Sequence, residues 1–270
     1  VLWEEQGIVM SSSNVERHYD GVTMATREQR AKGRLYEMKK FHNLMKRNLL
    51  RTFATLQERV LDLGCGRGGD IEKWKECQVG YVRGIDISTN EIDEARRRAS
   101  ACIHTLLPKC EFHVADLTKP IEQEEEKYDV VSAMFCIHYF FGSLKTLKIF
   151  METVSKHLRY GGHFIGTCLD SKKVQEWVAS GKTSSVLTIT PGNAFGRTGG
   201  FGREYTYELC DTVTEGATTE YLVDMREMVR IAEQFGLRFK QATPFMPTTD
   251  YEGKEASEMC TTFVFIKNQL

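Results

Sequence analysis

Val60-Leu61-Asp62-Leu63-Gly64-Cys65-Gly66-Arg67-Gly68-Gly69 decides the fold of this chain. An apolar run of strand length passes straight into glycines and then into a helix-forming stretch at residues 70–76. Glycine lets the backbone turn tightly, and it lets a ligand approach closer than any Cβ would permit. Residues 59–63 therefore read as a short buried strand and residues 64–69 as a ligand-facing loop.

Outward from the loop, strands and helices alternate. Residues 81–87, 111–115, 128–137 and 163–169 have the composition of strands, the last after a turn at Tyr160-Gly161-Gly162. Residues 91–107 and 144–158 read as helices between them. Upstream, Leu35, Met38, Phe41, Leu44, Met45, Leu49 and Phe53 recur at helical spacing and give one or two N-terminal helices. Alternation of this kind implies βαβ units and a parallel sheet. It breaks at about residues 182–219, a Gly-, Thr- and Ser-rich stretch that reads as an insertion. It resumes with a strand at 220–223, a helix at 225–235 and strands at 238–243 and 261–266.

Gly64, Gly66 and Gly69 fit the dinucleotide fingerprint G-x-G-x-x-G and equally the D-x-G-x-G-x-G pattern of S-adenosylmethionine sites. Acids at successive strand ends weigh between them. Asp62, two residues before the first glycine, stands where a carboxylate can meet the amino group of a methionine moiety. Asp86 ends the second strand, where either adenosine cofactor wants an acid for its ribose hydroxyls. Asp116 ends the third, at the adenine end. Any one of them alone reads as an N-cap or turn residue. Together they favour a nucleoside ligand, and S-adenosylmethionine over NAD.

Composition sets bounds on the rest. A chain of 270 residues with 41% hydrophobic and 27% charged residues can bury a full core as one domain. No apolar run reaches the length of a membrane span. Eight cysteines form no C-x-x-C pair, and no histidine cluster has ligand spacing, so no metal is expected. The scattered thiols suit a reducing, intracellular compartment. The net charge of -1 argues against a general nucleic-acid binder, but basic residues outnumber acidic ones between Val15 and Arg51. The chain opens on Val1 rather than Met, which suggests a cut from a longer protein, and residues 1–14 read as a disordered lead.

Six segments occur in a telling order: Val15-Glu16-Arg17-His18-Tyr19, Phe41-His42-Asn43-Leu44-Met45-Lys46, the glycine loop through Asp70, Phe135-Cys136-Ile137-His138-Tyr139, Gly161-Gly162-His163-Phe164-Ile165-Gly166-Thr167 and Glu220-Tyr221-Leu222-Val223-Asp224. Together they resemble the messenger RNA cap guanine-N7 methyltransferases. The glycine loop is shared with many methyltransferases. His138-Tyr139, the Asn43/Lys46 helix and Glu220 make the resemblance specific.

That resemblance implies an α/β, Rossmann-like class I methyltransferase fold over residues 15–270. Its sheet is mostly parallel with an antiparallel last strand, and it carries N-terminal helices and an inserted loop and strand segment. It implies S-adenosylmethionine as cofactor, with Lys46 at its carboxylate and Asp62, Gly64, Gly66, Asp86, Asp116, Met134 and Tyr139 around it. Asn43, Arg67, Lys73, Arg98, His138 and Glu220 would face the cap. His138, Tyr139 and Glu220 would orient the guanine, with no catalytic base. Met134 stands in place of a usual glutamine, Cys260 of a tyrosine, Arg67 of a lysine and His42 of an asparagine. The implied partners are 5′-capped messenger RNA and guanylyltransferase or triphosphatase domains or subunits, in the nucleus.

Taken singly, these residues also have plain readings. Lys46 reads as a surface helix charge, His138-Tyr139 as a half-buried pair at a strand end, and Glu220 as an exposed acid. Trp74 and Trp177 read as packing residues. Two other functions remain at this point: methylation of a small molecule under a glycine-rich lid, and a methyltransferase-like binding module without chemistry.

Overall fold

The computed structural model describes residues 12–21, 32–101, 108–210, 212 and 217–269. At its centre lies β1 (Arg59–Leu63), paired in parallel with β2 (Tyr81–Asp86) on one side and β4 (Tyr128–Met134) on the other. β3 (Lys109–Val114) continues beyond β2, and β5 (Leu158–Leu169) beyond β4, both parallel. The far edge is built by β9 (Leu237–Pro244) and β10 (Cys260–Lys267). β10 runs antiparallel between β5 and β9, giving the order β3-β2-β1-β4-β5-β10-β9. The strand order reverses at β1, so the crevice at its C-terminal end is the natural ligand site of an open α/β sheet.

Period-two alternation along the strands builds both faces. Val60, Val82, Val130 and Ile165 pack with Leu49, Leu50, Trp74 and Ile92. The last four come from α2 (Tyr36–Phe53), α3 (Ile71–Glu76) and α4 (Thr89–Ala101). Leu61, Ile85, Val131 and Phe164 turn the other way, onto α5 (Leu144–His157) and α7 (Met225–Glu233). Ser143 and Thr146 close a capping box at the start of α5, and Asp224 caps α7.

Several boundaries differ from the sequence reading, each for a local reason. Residues 12–14 are not part of a disordered lead: α1 (Ser12–Gly21) begins there, while residues 1–11 lie outside the described residues. The second helix of the alternation is described to Ala101, and 102–107, with Cys102, lie outside the description, as do Arg27 and Arg30. The strand read at 128–137 stops at Met134, because Phe135 turns to φ 59° and a 3-10 helix follows over Ile137–Gly142. β5 runs through the turn read at 160–162. The helices α6 (Ser171–Ser180) and α8 (Lys254–Glu258) had no reading in the sequence.

The strand at 220–223 does not rejoin the central sheet. β8 (Thr218–Tyr221) pairs antiparallel with β7 (Glu204–Leu209), which pairs with β6 (Leu187–Pro191). The inserted segment is thus a three-stranded sheet with a cluster of its own, built on Leu187, Tyr205, Tyr207, Met38 and Phe245. It sets Glu220 beside the 3-10 helix that carries His138.

Candidate active site

The ends of β1, β2, β3 and β4 open into one cleft of about 300 Å3. The glycine loop lines it. Gly64 has φ +74°, and a Cβ there would stand 2.7 Å from Cys136 Cβ, so only glycine passes under the end of β4. The Gly66 N–H donates to Asp86 Oδ2 at 2.8 Å, and the Ser88 N–H to Oδ1 at 3.0 Å. Asp86 so ties the loop to the end of β2 while still bordering the cleft. Burial raises its pKa, against the pull of those backbone donors.

Asp116 borders the cleft beyond β3 and accepts the Thr118 N–H at 2.9 Å and hydroxyl at 2.6 Å. The turn role expected of a lone aspartate is therefore real, and the same carboxylate faces the cleft. Met134 and Phe135 close the end of β4. The left-handed φ of Phe135 is uncommon for an aromatic residue, and its N–H is held by the Thr167 carbonyl at 2.9 Å. His42 stacks on Phe135 with ring centroids 5.5 Å apart. Burial and the neighbouring Lys46 bring the His42 pKa down to about 4, so it stays neutral.

Lys46 borders the cleft and reaches Asp70 Oδ2 at 2.9 Å. Lys73 reaches the other oxygen of Asp70 at 2.7 Å, with its side chain only 4% exposed. Burial works against the Asp70 charge, but the two ammonium groups outweigh it and bring the pKa to about 2. Asp62 sits deeper, accepting the Ser132 hydroxyl at 2.5 Å, and is not among the cleft-lining residues. Burial, with the charge of Asp70, pushes its pKa up to about 7.

Of the residues expected at the cofactor, Lys46, Gly64, Gly66, Asp86, Asp116, Met134 and Tyr139 line the cleft. The expected cap residues are less uniform. Arg67 lines the cleft, but its guanidinium forks onto both oxygens of Glu91, with Nε 2.8 Å from Oε2. Lys73 is buried under the loop. Arg98 pairs with Glu94 on its own helix at 2.7 Å, away from the lining. Asn43 donates to the Lys39 carbonyl at 2.8 Å, within α2. The basic run of α2 is likewise engaged: Lys40 pairs with Glu37, and Arg47 and Arg51 share Glu76.

His138 and Glu220 stand just behind the wall formed by their neighbours Tyr139 and Tyr221. Both are buried, and His138 Nε2 lies 3.8 Å from Glu220 Oε1, too far for a hydrogen bond. Nε2 has no hydrogen-bond partner among the described residues. Burial lowers the His138 pKa, with Glu220 opposing, and the ring is neutral. The other Glu220 oxygen accepts the Tyr205 hydroxyl at 2.7 Å. Glu220 is thus no exposed acid, and Cys260 lies in the core with its thiol on the Ala256 carbonyl.

Sequence reasoning left Tyr205, Glu91 and Asp70 without roles. Asp70 stood in the quoted loop. Tyr205 meets Glu220 only through strand register, which no local pattern carries. Among the described residues no His, Cys, Asp and Glu group could hold a metal ion, and no helix is long and apolar enough to cross a membrane.

A family model described as the mRNA (guanine-N(7))-methyltransferase domain matches residues 4–265. The chain belongs to this family. Within the mRNA (guanine-N(7))-methyltransferase family, it is 31% identical over 243 residues to mRNA cap guanine-N(7) methyltransferase 1 of Arabidopsis thaliana, covering 83% of this chain and 65% of that protein. It is 30% identical over 243 residues to the mRNA cap guanine-N(7) methyltransferase of Cryptococcus neoformans var. neoformans, covering 83% of this chain and 33% of that one. The chain therefore spans a third to two thirds of the length of these curated relatives.

Solved structures share the fold of this family member. An S-adenosylmethionine-dependent methyltransferase from Clostridium acetobutylicum superposes with a TM-score of 0.57 at 16% identity, covering 86% of this chain and 92% of that one. Another from Mesorhizobium loti gives 0.53 at 17% identity, covering 79% and 92%. The class I methyltransferase architecture expected from the sequence is the one the chain adopts.

Proposed function

We propose that this chain transfers the methyl group of S-adenosylmethionine to N7 of the terminal guanine of the 5′ cap (GpppN) of messenger RNA. One observation carries the reading. A buried carboxylate, Glu220, and a buried imidazole whose Nε2 has no partner among the described residues, His138, lie 3.8 Å apart next to Tyr139 and Tyr221, which line a cleft with acids at its strand ends.

The residues present fit the cofactor. Asp86 suits ribose hydroxyls, Asp116 the adenine amino group and Lys46 the methionine carboxylate. S-adenosylmethionine supplies a methyl group already activated on a sulfonium. Guanine N7 carries an in-plane lone pair and no proton, so the reaction needs no general base. The work left to the chain is alignment, which can lower a barrier by ~7–11 kcal/mol.

Guanine must then be held by an edge away from N7. An ionised carboxylate only accepts hydrogen bonds, and guanine offers adjacent donors at N1 and the 2-amino group. Glu220 suits that edge and rejects adenine. His138, as the Nε2–H tautomer, suits O6, and Tyr139 lies against it with ring centroids 4.1 Å apart. Arg67 suits the triphosphate once it exchanges Glu91 for phosphate oxygens. This reading places the chain in the nucleus, after a triphosphatase and a guanylyltransferase that build the unmethylated cap.

The test is transfer of labelled methyl from S-adenosylmethionine to GpppG-ended RNA, with ApppA-ended RNA as control. Label at guanine N7 and none on the control is the expected result. A chain that binds S-adenosylmethionine but labels no guanine cap overturns the reading.

A further inference from the structure

The antiparallel pairing of β7 and β8 sets Tyr205 directly opposite Glu220. Cross-strand partners in antiparallel register put their side chains on one face. Both are buried, Tyr205 at 1% exposure and Glu220 at 4%. The phenol donates to Glu220 Oε2 at 2.7 Å, and Phe195 meets the Tyr205 ring edge-on at 6.3 Å, bracing it. Burial and the Glu220 charge push the phenol pKa well above its usual value, so the hydroxyl stays a donor. Oε1 is left turned to the unpartnered His138 Nε2.

We propose that Tyr205 is a positioning residue for base recognition: it pins the plane of the Glu220 carboxylate so that the group reads the N1 and 2-amino edge of guanine. The proposal rests on the cap reading above. Carboxylate rotation is soft, because the terminal torsion of glutamate has broad wells. Two parallel N–H donors on a rigid base need both oxygens in the plane of that base. Tyr205 takes one lone pair of Oε2 and fixes the rotation. Oε1 and the second lone pair of Oε2 are then held as a preset pair of acceptors. The Tyr205 hydroxyl has no other assignment in the reaction, since Tyr205 is not among the residues that line the cleft.

The experiment is a double-mutant cycle on the whole chain: Tyr205→Phe, Glu220→Gln and both together. KM and kcat are measured for GpppG-ended RNA and for the inosine-capped analogue, which lacks the 2-amino group. S-adenosylmethionine affinity is measured by calorimetry as a report on the fold. Tyr205→Phe keeps the ring and is expected to raise KM for the guanine cap roughly tenfold, the usual effect of losing a charge-assisted hydrogen bond. Cofactor affinity should be unchanged, and the preference for guanine over inosine should shrink. In the Glu220→Gln background, which keeps one oxygen for the Tyr205 hydroxyl but has lost the pair of acceptors, the same substitution should cost clearly less.

An equal loss in both backgrounds makes Tyr205 a packing residue and overturns the proposal. So does a wild-type KM in Tyr205→Phe. Should that variant lose cofactor binding, Tyr205→Gln and Tyr205→Met replace it, similar in length and differing in a donor. A lower KM for Gln supports the proposal and equal values overturn it. Glu220→Gln alone methylating guanine caps normally would instead overturn the placing of Glu220 at the guanine edge, and a wild-type chain that labels no guanine cap would overturn the cap reading, both results visible without any Tyr205 variant.

Discussion

The Tyr19 hydroxyl lies 2.8 Å from the Tyr139 hydroxyl, so the first helix is bonded to the wall of the cleft. Burial raises both phenol pKa values, and both groups stay protonated. Val15 and Tyr19 border the cleft from α1. Asp20, one residue on, anchors the helix by accepting the Ser88 hydroxyl at 2.5 Å, and its carbonyl accepts from the Asn90 side chain at 3.0 Å. The helix is therefore part of the cleft wall.

Asp20→Ala should accelerate dissociation of S-adenosylmethionine severalfold, because it removes the Ser88 bond that holds α1 and with it Val15 and Tyr19, while no cleft-lining residue is itself substituted. Stopped-flow displacement gives the off-rate directly. An off-rate equal to that of wild type would mean that α1 does not retain the ligand.

Asp86→Ala should weaken S-adenosylmethionine binding at least tenfold, since charge-assisted hydrogen bonds contribute ~1.5–3 kcal/mol each. The same carboxylate holds the Gly66 N–H, so the loop loosens as well. Calorimetry with S-adenosylmethionine and NAD checks this. Unchanged affinity for the first, or tight binding of the second by wild type, would remove the cofactor assignment.

The central sheet was legible because its signals are local. A strand running into Gly64 and Gly66, and an acid at the end of each of the next two strands, are each read from a short local window. The β6-β7-β8 sheet was not, because its pairing joins Tyr205 to Glu220, fifteen residues on, and register leaves no local trace. Polar networks were the least legible. Lys46, Asp70 and Lys73 carry ordinary sequence signals of a charged surface. Only the fold shows that Asp70 is buried between the two lysines. The resemblance puts Arg98 at the cap, yet the nearest carboxylate one turn back, Glu94, is its partner.

Asp62 should make stability fall as pH rises. Its pKa is about 7 in the folded chain, above the ordinary 3.8. Between those values the folded state keeps a proton that the unfolded chain has released, so stability declines across that window. Asp70 runs the other way. Its folded pKa of about 2 makes its contribution present above the unfolded value and lost as pH falls toward 2. Asp62→Asn keeps the Ser132 hydrogen bond and cannot ionise. Its melting temperature should exceed that of wild type by a wider margin at about pH 8 than at about pH 5. A margin independent of pH would mean that Asp62 does not titrate in this window.

The three cationic residues expected at the triphosphate should separate on substitution. Arg67 lines the cleft and its fork already grips a carboxylate, the geometry that also suits phosphate. Arg67→Ala should raise KM for capped RNA roughly tenfold, with cofactor affinity little changed. Its residual affinity should also depend less on salt, because a phosphate contact releases counterions. Arg98 is bound to Glu94 on the helix surface, and Arg98→Ala should leave KM within about twofold of wild type, as surface pairs contribute little. Lys73 is different again. Lys73→Met leaves Asp70 buried with Lys46 as its remaining ion pair, and breaking a buried pair typically costs ~3–5 kcal/mol. The loss should appear in urea unfolding, with KM for capped RNA near wild type while the variant is folded. If Arg98→Ala raises KM as much as Arg67→Ala, the triphosphate runs along α4. If Lys73→Met is as stable as wild type and loses cap affinity, the lysine leaves Asp70 and reaches the substrate.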